Sequence, residues 1–428
     1  MKRVKSFDQA KQLLDRKVPL QSLDTMVEPR QVVPRIIDEV RLKGDKALFH
    51  YTEELDDVKL DSLEVSKQEI SAAYNAADKK LIAALELAAR RITEFHRDCL
   101  PKIGTISAGQ GLKRQVRPLD KVGIYVPGGI ASYPSTVLMT AIPARVAGVK
   151  EIIMVSPPRG DGAIPDDTLA AASIAQINRV FKIGGAQAIA ALAFGTESVP
   201  KVDKICGPGN IFVVLAKKTV YGAVAVDGLQ GPSEIVIVAD ETASPSLCAV
   251  DLLAQAEHDP LARVVLITTS AELADMVDRE IFSRLDKLER SFIAAEAIDN
   301  GVIAIVDNLN QAVELVNLYA PEHLSLMVSN ASALTRKIYN AGCIFVGSSS
   351  SVVLGDYVAG PSHVLPTEGS ARFSSPLGVE DFLKVTNIVS LDDSTAEELS
   401  QAAITIARAE GLSAHAQALE ARRRWEKE

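Results

Sequence analysis

Four of the six histidines stand in segments whose residue types could do chemistry: AQAEHDP, APEHLSL, GPSHVLPT and EGLSAHAQ. In the first segment, Gln255 and His258 are three residues apart at the end of a predicted helix, which puts both side chains on one helical face. An imidazole and a carbonyl oxygen can together bind zinc or another divalent ion. The alternative is an ordinary helix end, where a histidine lies near the negative end of the helix dipole.

The segment APEHLSL places Glu322 beside His323, between a predicted helix and a predicted strand. Such junctions project side chains into the cleft at the edge of a parallel sheet. A carboxylate and an imidazole can serve as two bases with different tasks. The alternative is a pair of solvated loop residues, and the segment by itself does not decide between the two.

Two further pairs give weaker signals. Asp356 and His363 flank a glycine-rich turn, where one could bind a metal and the other a substrate. An aspartate in a Gly-Asp turn is, however, often no more than a turn residue. Glu410 and His415 are five residues apart and do not share a helical face, so they need a bend or a shared ligand between them to act together.

Three glycine-rich loops, YVPGGIASYPS, IGGAQA and CGPGN, follow predicted strands. At such positions the backbone amides of the loop can approach a dinucleotide. None of the three matches the GxGxxG pattern of the common dinucleotide-binding fold. Glycines at strand-to-helix turns are often purely structural, so cofactor binding does not follow from these loops alone.

The elements that position these residues follow from hydrophobic periodicity. In the first hundred residues, apolar side chains recur at three- and four-residue spacing, which predicts helices that end before Pro101. His50 and His96 lie there among charged neighbours, so we expect surface or helix-face positions. From Lys121 onward, short apolar strands alternate with helices in two successive sets, which predicts parallel sheets covered on both faces.

Two regions depart from this alternation. The segment from Gly347 to Pro376 is rich in Ser, Gly and Pro and is too long for a plain connection, which is typical of a functional loop. A strand segment, FLKVTNIVSL, follows it, and then a helical tail from about Ser394 to Glu428. The tail has little apolar bulk, so we expect it to pack on something larger, such as a partner subunit.

Composition narrows the class of protein. The 428 residues are 47% hydrophobic and 24% charged, with a net charge of -9, which is typical of a globular protein and argues against nucleic acid as the partner. No apolar run has the length of a signal-peptide core or a membrane span. The four widely spaced cysteines indicate reduced thiols. We therefore expect a cytoplasmic protein.

Taken together, the motifs resemble the histidinol dehydrogenase family from about residue 25 to the end of the chain. The matching blocks occur in the family's order: YVPGG, GGAQAIAALAFGT, CGPGN, GPSE, LLAQAEHDP, APEHL, GDY-x4-SHVLPT and EGLSAH. The resemblance implies an α/β fold of two Rossmann-like parallel-sheet units with a helical N-terminal segment and an extended C-terminal tail. It implies the domains 1–22 (helical extension), 23–125 with 235–377 (first α/β domain), 126–234 (second, NAD-associated α/β domain) and 378–428 (tail, exchanged between the subunits of a homodimer).

The resemblance also implies a role for each matching residue. The zinc ligands would be Gln255, His258, Asp356 and His415, the last reaching across from the partner subunit. The NAD contacts would be Tyr125, Gln187 and Asn210. The substrate contacts would be Ser233, Gln255, His258, His323, Asp356, His363, Glu410 and His415. Glu322 and His323 would be the proton-transfer pair.

The implied reaction is the oxidation of L-histidinol to L-histidine through L-histidinal, with two NAD, as a step of histidine biosynthesis. One zinc ion per subunit would act chiefly as a template that fixes the amino alcohol near the nicotinamide. His323 would take the alcohol proton as hydride leaves. Glu322 would then activate water to attack the aldehyde.

One departure from the family pattern bears on the substrate. The family usually carries Thr-Pro-Glu shortly before Gly-Asp-Tyr, where this chain has Ser350, Ser351 and Val352, so an apolar side chain replaces a carboxylate that lies near the substrate in the family. A smaller change places Ser362 where asparagine is common. The alternative is therefore a related NAD-dependent dehydrogenase of another small amino alcohol or polyol. A zinc hydrolase is disfavoured because HExxH is absent, and a non-catalytic binding protein would not need an adjacent base pair.

Overall fold

The computed structural model describes residues 1–16, 27–128 and 132–425. These residues form two compact units. The first contains Met1–Leu100 and Leu119–Phe382, and the second contains Pro101–Pro118 and the chain from Leu383 onward. Across the described residues, no helix is long and apolar enough to cross a membrane. All four cysteines are free thiols, as the sequence predicted.

The described strands are β1 (Lys2–Val4), β2 (Glu64–Val65), β3 (Gly104–Gly109), β4 (Leu112–Pro118), β5 (Lys121–Tyr125), β6 (Glu151–Ser156), β7 (Arg179–Lys182), β8 (Lys204–Cys206), β9 (Ala225–Val226), β10 (Glu234–Ala239), β11 (Arg263–Thr268), β12 (Val302–Ile305), β13 (His323–Met327), β14 (Cys343–Val346) and β15 (Leu383–Val389). The described helices are α1 (Phe7–Leu14), α2 (Val27–Lys43), α3 (Asp45–Asp56), α4 (Lys67–Ala76), α5 (Lys79–Cys99), α6 (Pro134–Ala147), α7 (Asp166–Ile174), α8 (Gly185–Phe194), α9 (Ile211–Val220), α10 (Pro245–Ala256), α11 (Ala271–Leu285), α12 (Ser291–Asn300), α13 (Leu309–Tyr319), α14 (Ala331–Thr335), α15 (Val352–Tyr357), α16 (Asp393–Ala409) and α17 (Ser413–Trp425).

The first sheet of the first unit is parallel and has the order β1-β12-β11-β10-β13-β14. Its central strand β10 is buried along its whole length, because helices cover both faces of the sheet. Side chains alternate between the faces. Ile235 and Ile237 pack in one apolar cluster with α10, α11 and α12, while Val236 and Val238 pack in another with α1 and α13.

The second sheet of the first unit has the order β2-β7-β6-β5-β8-β9 and is parallel except for its edge strand β2. Helices α2, α3, α8 and α9 pack on one face of it around Phe181, Ile189 and Leu192. On the other side, α6 contacts strands β5 and β6 as well as helices α5 and α7. The two sets of alternating strands and helices predicted from the sequence are thus confirmed as two parallel sheets.

Two segments differ from their predicted assignment. Residues 1–22 were predicted to be a helical extension, but Lys2–Val4 form a strand, because the open edge of β12 offers their backbone hydrogen-bond partners. Residues 17–22 of that extension lie outside the described residues. Strand β5, predicted with the first domain, pairs between β6 and β8 in the second sheet. The domain boundaries themselves stay a prediction.

The second compact unit is built on an antiparallel sheet in the order β15-β4-β3. The predicted strand FLKVTNIVSL is confirmed as β15 (Leu383–Val389). Sequence analysis missed the hairpin β3–β4, although Gly109 and Gly111 both adopt positive φ at its turn, a signal that the glycine spacing carried. The tail is helical as predicted: α16 packs on α17 through Ile404, Ala407 and Ala416.

The histidines of the helical region occupy different environments. His50 is exposed, as expected, and pairs with Glu54 on α3. His96 on α5 is 2% exposed, and neither ring nitrogen has a hydrogen-bond partner among the described residues. Of the two positions predicted for His96, surface or helix face, it occupies a buried helix face, which its charged neighbours along the sequence do not reveal. Burial lowers the pKa of His96 to about 4.

This burial predicts a pH-dependent stability. Below about pH 6.5 the unfolded chain takes up a proton on His96 that the folded chain refuses, so the free energy of unfolding falls as the pH drops toward 4. Between pH 7.5 and pH 5.0 we expect His96 to account for a loss of about 2 kcal/mol. Urea unfolding of the wild type and of His96→Leu at both pH values measures it. The same acid loss in both proteins would contradict the prediction, and His50→Leu is the exposed control.

Candidate active site

The proposed proton-transfer pair lies at the amino end of the first sheet. Strand β13 begins at His323, and its pairing with β10 sets Ile235 opposite His323. Ser233 and Glu234, at the start of β10, therefore lie beside Glu322. Open α/β sheets usually place their ligands at the carboxyl ends of the strands. These residues occupy the opposite edge of this sheet.

Glu322 is held by two hydrogen bonds to one of its oxygens. Its Oε2 accepts from the Ser233 hydroxyl at 2.8 Å and from the Glu234 backbone N–H at 2.7 Å. Glu322 is 6% exposed and His323 is 3% exposed. The solvated loop pair, which the sequence left open, is therefore excluded.

His323 has an oxygen within reach of each ring nitrogen. Nδ1 donates to the Glu234 carbonyl at 3.0 Å, and Nε2 lies 3.2 Å from Oδ1 of Asp356. Oε2 of Glu322 lies 3.4 Å from Nδ1. Burial opposes a charge on the ring, but the carboxylates of Glu322 and Asp356 outweigh it and hold the pKa of His323 well above its ordinary value.

Asp356 connects His323 with His363. The Asp356 backbone carbonyl accepts from Nδ1 of His363 at 2.8 Å, and Nε2 of His363 lies 3.4 Å from the Thr136 hydroxyl. Burial lowers the pKa of His363, so its ring is neutral near pH 7. For Asp356 burial opposes ionisation. The hydrogen bond and the charge of His323 are the largest opposing effects, and they hold its pKa below the ordinary value.

A glycine allows Asp356 to come this close. A Cβ at Gly355 would lie 2.5 Å from Cε1 of Phe345, a contact that packed atoms do not make. The Phe345 ring lies 6.0 Å from the His323 ring, centroid to centroid. Any side chain at 355 would push α15 away from the ring, and Asp356 away from His323 with it.

Gln255 and His258 come from the end of α10. Gln255 lies in the last helical turn, is 3% exposed and donates its amide nitrogen to the Ser233 hydroxyl. The helix ends at Ala256, so His258 lies in the following turn, where its N–H donates to the Gln255 carbonyl at 3.3 Å. The prediction that both lie on one helical face was wrong, because the helix stops two residues before His258. His258 is exposed and lines a cavity of about 1020 Å³ together with Tyr133 and Tyr357.

Glu410 and His415 belong to the second compact unit. Glu410 caps the end of α16, and His415 lies in the first turn of α17. Gly411, at φ +75°, turns the chain between the two helices. The bend that the five-residue spacing required is therefore present.

The three residues assigned to NAD lie at the carboxyl edge of the second sheet, where the glycine loops were expected. Tyr125 ends β5, is 4% exposed, and its hydroxyl accepts from the Gly185 N–H at 3.2 Å; burial raises its pKa to about 12. Gln187, in the first turn of α8, is 1% exposed. Its Oε1 is buried and has no hydrogen-bond partner among the described residues.

Asn210 also has a structural task. Its Oδ1 caps α9 by accepting from the backbone N–H groups of Phe212 at 3.1 Å and Val213 at 3.2 Å. The loop before it requires glycine. Gly207 has a φ of +109°, and a Cβ there would lie 2.2 Å from the Tyr125 carbonyl oxygen.

A buried ion pair, which sequence analysis missed, fixes this loop. Nζ of Lys217 lies 2.5 Å from Oδ1 of Asp227 and donates to the Gly207 carbonyl at 2.9 Å and to Oε1 of Gln230 at 3.1 Å. Oδ2 of Asp227 accepts from the Gly207 N–H at 2.7 Å. Lysine is normally a surface residue. The signal available in the sequence was a lysine on the apolar face of IFVVLAKKTV.

Two of the residues that depart from the family pattern, Val352 and Ser362, are buried. Val352 is 4% exposed and belongs to the same apolar cluster as Leu252 and Phe345. Ser351 donates to Oδ1 of Asp251 at 3.3 Å. Ser362 is 3% exposed and donates to the Met139 carbonyl at 3.1 Å. In this chain, position 352 is therefore part of the core.

The chain was compared with known proteins. A family model described as histidinol dehydrogenase matches residues 21–423. Histidinol dehydrogenase of Dehalococcoides mccartyi strain CBDB1 is 55% identical over 397 residues, which cover 92% of this chain and 90% of that protein. The enzyme of Clostridium acetobutylicum is 49% identical over 395 residues and covers 92% of each chain. The crystal structure of histidinol dehydrogenase from Elizabethkingia anophelis matches with a TM-score of 0.94 at 35% identity, covering 100% of this chain and 99% of that one.

These matches span nearly the whole chain and include every block that carried the resemblance. The structural match agrees with the α/β fold of two parallel sheets. The chain is therefore an enzyme, an oxidoreductase, and it belongs to the histidinol dehydrogenase family.

Proposed function

We propose that this chain oxidises L-histidinol to L-histidine through L-histidinal, with two NAD, as a step of histidine biosynthesis in the cytoplasm. The observation that carries the proposal is the buried cluster in which Glu322 and His323 share Glu234 as a backbone partner and His323 faces Asp356. A carboxylate and an imidazole held side by side supply the two bases that an alcohol oxidation followed by an aldehyde oxidation needs.

The protein groups have separate tasks in this reaction. Nδ1 of His323 donates to the Glu234 carbonyl, so Nε2 is the nitrogen that would take the proton of the alcohol. It can do so only as the neutral ring, which requires that a bound zinc ion would offset the Asp356 charge that raises the pKa of His323. Ser233 and Glu234 anchor Oε2 of Glu322, which leaves Oε1 as the oxygen that removes a proton from water attacking the aldehyde. His323 thus serves the alcohol step and Glu322 serves the aldehyde step.

The proposed zinc site fits the residues present. Among the described residues, no three His, Cys, Asp or Glu side chains form a group that could hold a metal. The proposed set contains two of that kind in the first unit: His258, which is exposed, and Asp356, whose Oδ1 lies 3.2 Å from Nε2 of His323. Gln255 uses its amide nitrogen to bond Ser233, so its oxygen is the end that would bind metal.

His415 of the partner subunit would complete the ligand set in a homodimer with shared active sites. Two imidazoles, a carboxylate and an amide oxygen form a donor set that zinc accepts. When bound, zinc would hold the nitrogens of the amino alcohol and orient its carbinol carbon. His363 and Glu410 would contact the rest of the substrate.

NAD also fits at its proposed site. The buried Oε1 of Gln187 lacks a protein partner among the described residues and could accept from the cofactor. Tyr125 and Asn210 border the same carboxyl edge of the second sheet, beside the loop that Gly207 shapes. When bound, NAD would accept the hydride of each oxidation step.

The test is a count of cofactor reduced per substrate consumed. Purified protein with zinc, NAD and L-histidinol should yield about two NADH per histidinol, because each NAD takes one hydride and the reaction removes four electrons. Absorbance at the NADH band and amino-acid analysis of the product measure the ratio. A ratio of one, with the aldehyde as product, would contradict the proposal. Activity with another amino alcohol or polyol, but not with histidinol, would favour the related dehydrogenase instead.

The proposed ligand set predicts which variants lose metal. We expect His415→Ala and His258→Ala to retain less than about a tenth of the wild-type zinc after dialysis, because each removes one of four donors. His50→Ala, which changes an exposed histidine on α3, should keep its zinc. Elemental analysis of the dialysed proteins measures the content. Full zinc content in His415→Ala would contradict its role as a ligand.

A further inference from the structure

A buried ion pair lies directly behind the proposed catalytic pair. Nη1 and Nη2 of Arg16 donate to the two oxygens of Glu234 at 2.8 and 2.7 Å. The side chain of Arg16 is 8% exposed and that of Glu234 is 0% exposed. The guanidinium also lies over the Tyr319 ring, 3.8 Å from its centroid. Such a planar two-point contact fixes the orientation of a carboxylate as well as its position.

Glu234 is the residue that holds both members of the catalytic pair. Its backbone N–H donates to Glu322 and its carbonyl accepts from His323. One peptide segment therefore sets the distance between the carboxylate and the imidazole. The Glu234 side chain is in turn fixed by Arg16 and by the Glu368 backbone N–H, which donates to Oε1 at 2.9 Å.

The partner of this carboxylate comes from an unexpected part of the chain. Arg16 follows α1 and lies before residue 21, where the match to the family model begins. It is 218 residues from Glu234 along the sequence. Burial opposes ionisation of Glu234 and raises its pKa despite the arginine, so without Arg16 the carboxylate would stand unpaired in the interior.

We propose that Arg16 is a positioning residue, which acts through Glu234 to hold Glu322 and His323 in their working geometry. The N-terminal segment is thereby part of the active-site architecture. The proposal rests on the proposed function, since histidinol oxidation is its assay. A displacement of about 1 Å in a catalytic group can cost about 100-fold in rate, which sets the size of the expected effect.

The test uses Arg16→Met, Arg16→Lys, Glu234→Gln and the double variant Arg16→Met/Glu234→Gln in the full-length enzyme. We expect Arg16→Met to lower kcat for histidinol oxidation about 100-fold, with the KM for NAD within about twofold of the wild type. The double variant carries no unpaired charge, so it should recover at least about tenfold in kcat over Arg16→Met. Arg16→Lys keeps the positive charge but loses the two-point contact, so its kcat should lie between that of Arg16→Met and that of the double variant.

Arg3→Gln is the matched control. Arg3 lies in the same N-terminal segment and pairs with Asp275 and Asp278, and its side chain is 31% exposed. Its kcat should stay within about twofold of the wild type, because surface ion pairs contribute little. If Arg16→Met fails to fold, the charge-neutral double variant still tests the positioning role of Arg16. Its kcat is then compared with that of Glu234→Gln, which keeps Arg16.

The outcomes separate the two proposals. If the wild-type enzyme makes no NADH from histidinol, that result contradicts the proposed function. It does not contradict the positioning role of the buried Arg16–Glu234 pair. With an active wild type, two results would overturn the role of Arg16: an unchanged kcat in Arg16→Met, or a double variant no faster than the single. An equal loss in Arg3→Gln would also overturn it, because the effect would then belong to the whole N-terminal segment.

Discussion

Glu322→Gln is expected to slow the oxidation of L-histidinal about 100- to 10,000-fold, while the oxidation of L-histidinol falls by less than about tenfold. The range is that of a general base removed from a reaction that needs one. The aldehyde step requires a proton to leave water, and glutamine cannot accept it. In the proposed reaction the alcohol step uses His323, which stays in place.

The structure explains why this substitution is a clean probe. Both hydrogen bonds to Glu322, from Ser233 and from the Glu234 N–H, end on Oε2. A glutamine oxygen can accept both, so the side chain keeps its position and loses its basicity. Glu241→Gln is the matched control, because Glu241 is exposed and follows the opposite end of the same strand β10.

The measurement supplies each substrate separately. Rapid mixing with histidinol and with histidinal gives the two hydride transfers as separate NADH signals. A wild-type rate in Glu241→Gln shows that loss of a carboxylate from this region is not enough to affect either step. Equal losses of both half-reactions in Glu322→Gln would contradict the assignment of water activation to Glu322.

Lys217→Met is expected to destabilise the first compact unit by about 3 to 5 kcal/mol, the cost of leaving a buried charge without its partner. The substitution removes three contacts of the Lys217 ammonium group: those with Asp227, the Gly207 carbonyl and Gln230. The neighbouring side chain offers a matched control: Lys218 lies next along α9 but is exposed, so Lys218→Met should change stability by less than about 0.5 kcal/mol.

Urea unfolding followed by circular dichroism measures both variants. Lys217→Met should also weaken NAD binding, because the Gly207 loop that it braces leads to Asn210. Titration calorimetry with NAD, in the absence of substrate, tests this apart from turnover. A Lys217→Met protein as stable as Lys218→Met would contradict the structural role of the ion pair.

The fold class could be predicted from the sequence, because the pattern that carries it is local. Strands such as EIVIVAD are apolar on both faces, and this continuous pattern occurs where helices cover a parallel sheet on both sides. The order of the motif blocks likewise identified the family, and it brought out Glu322 and His323 as a pair. For these features the residues that carry the signal are close together in the chain.

Tertiary structure alone decided how the pair is held and where it lies. Ser233 is 89 residues from Glu322, and Arg16 is 218 residues from Glu234, so neither contact leaves a periodic trace in the sequence. The burial of His96 is likewise not visible in its charged neighbours along the sequence. A local pattern predicts which face of a helix or strand is apolar, but the partner that meets a buried polar group is chosen only when the chain has folded.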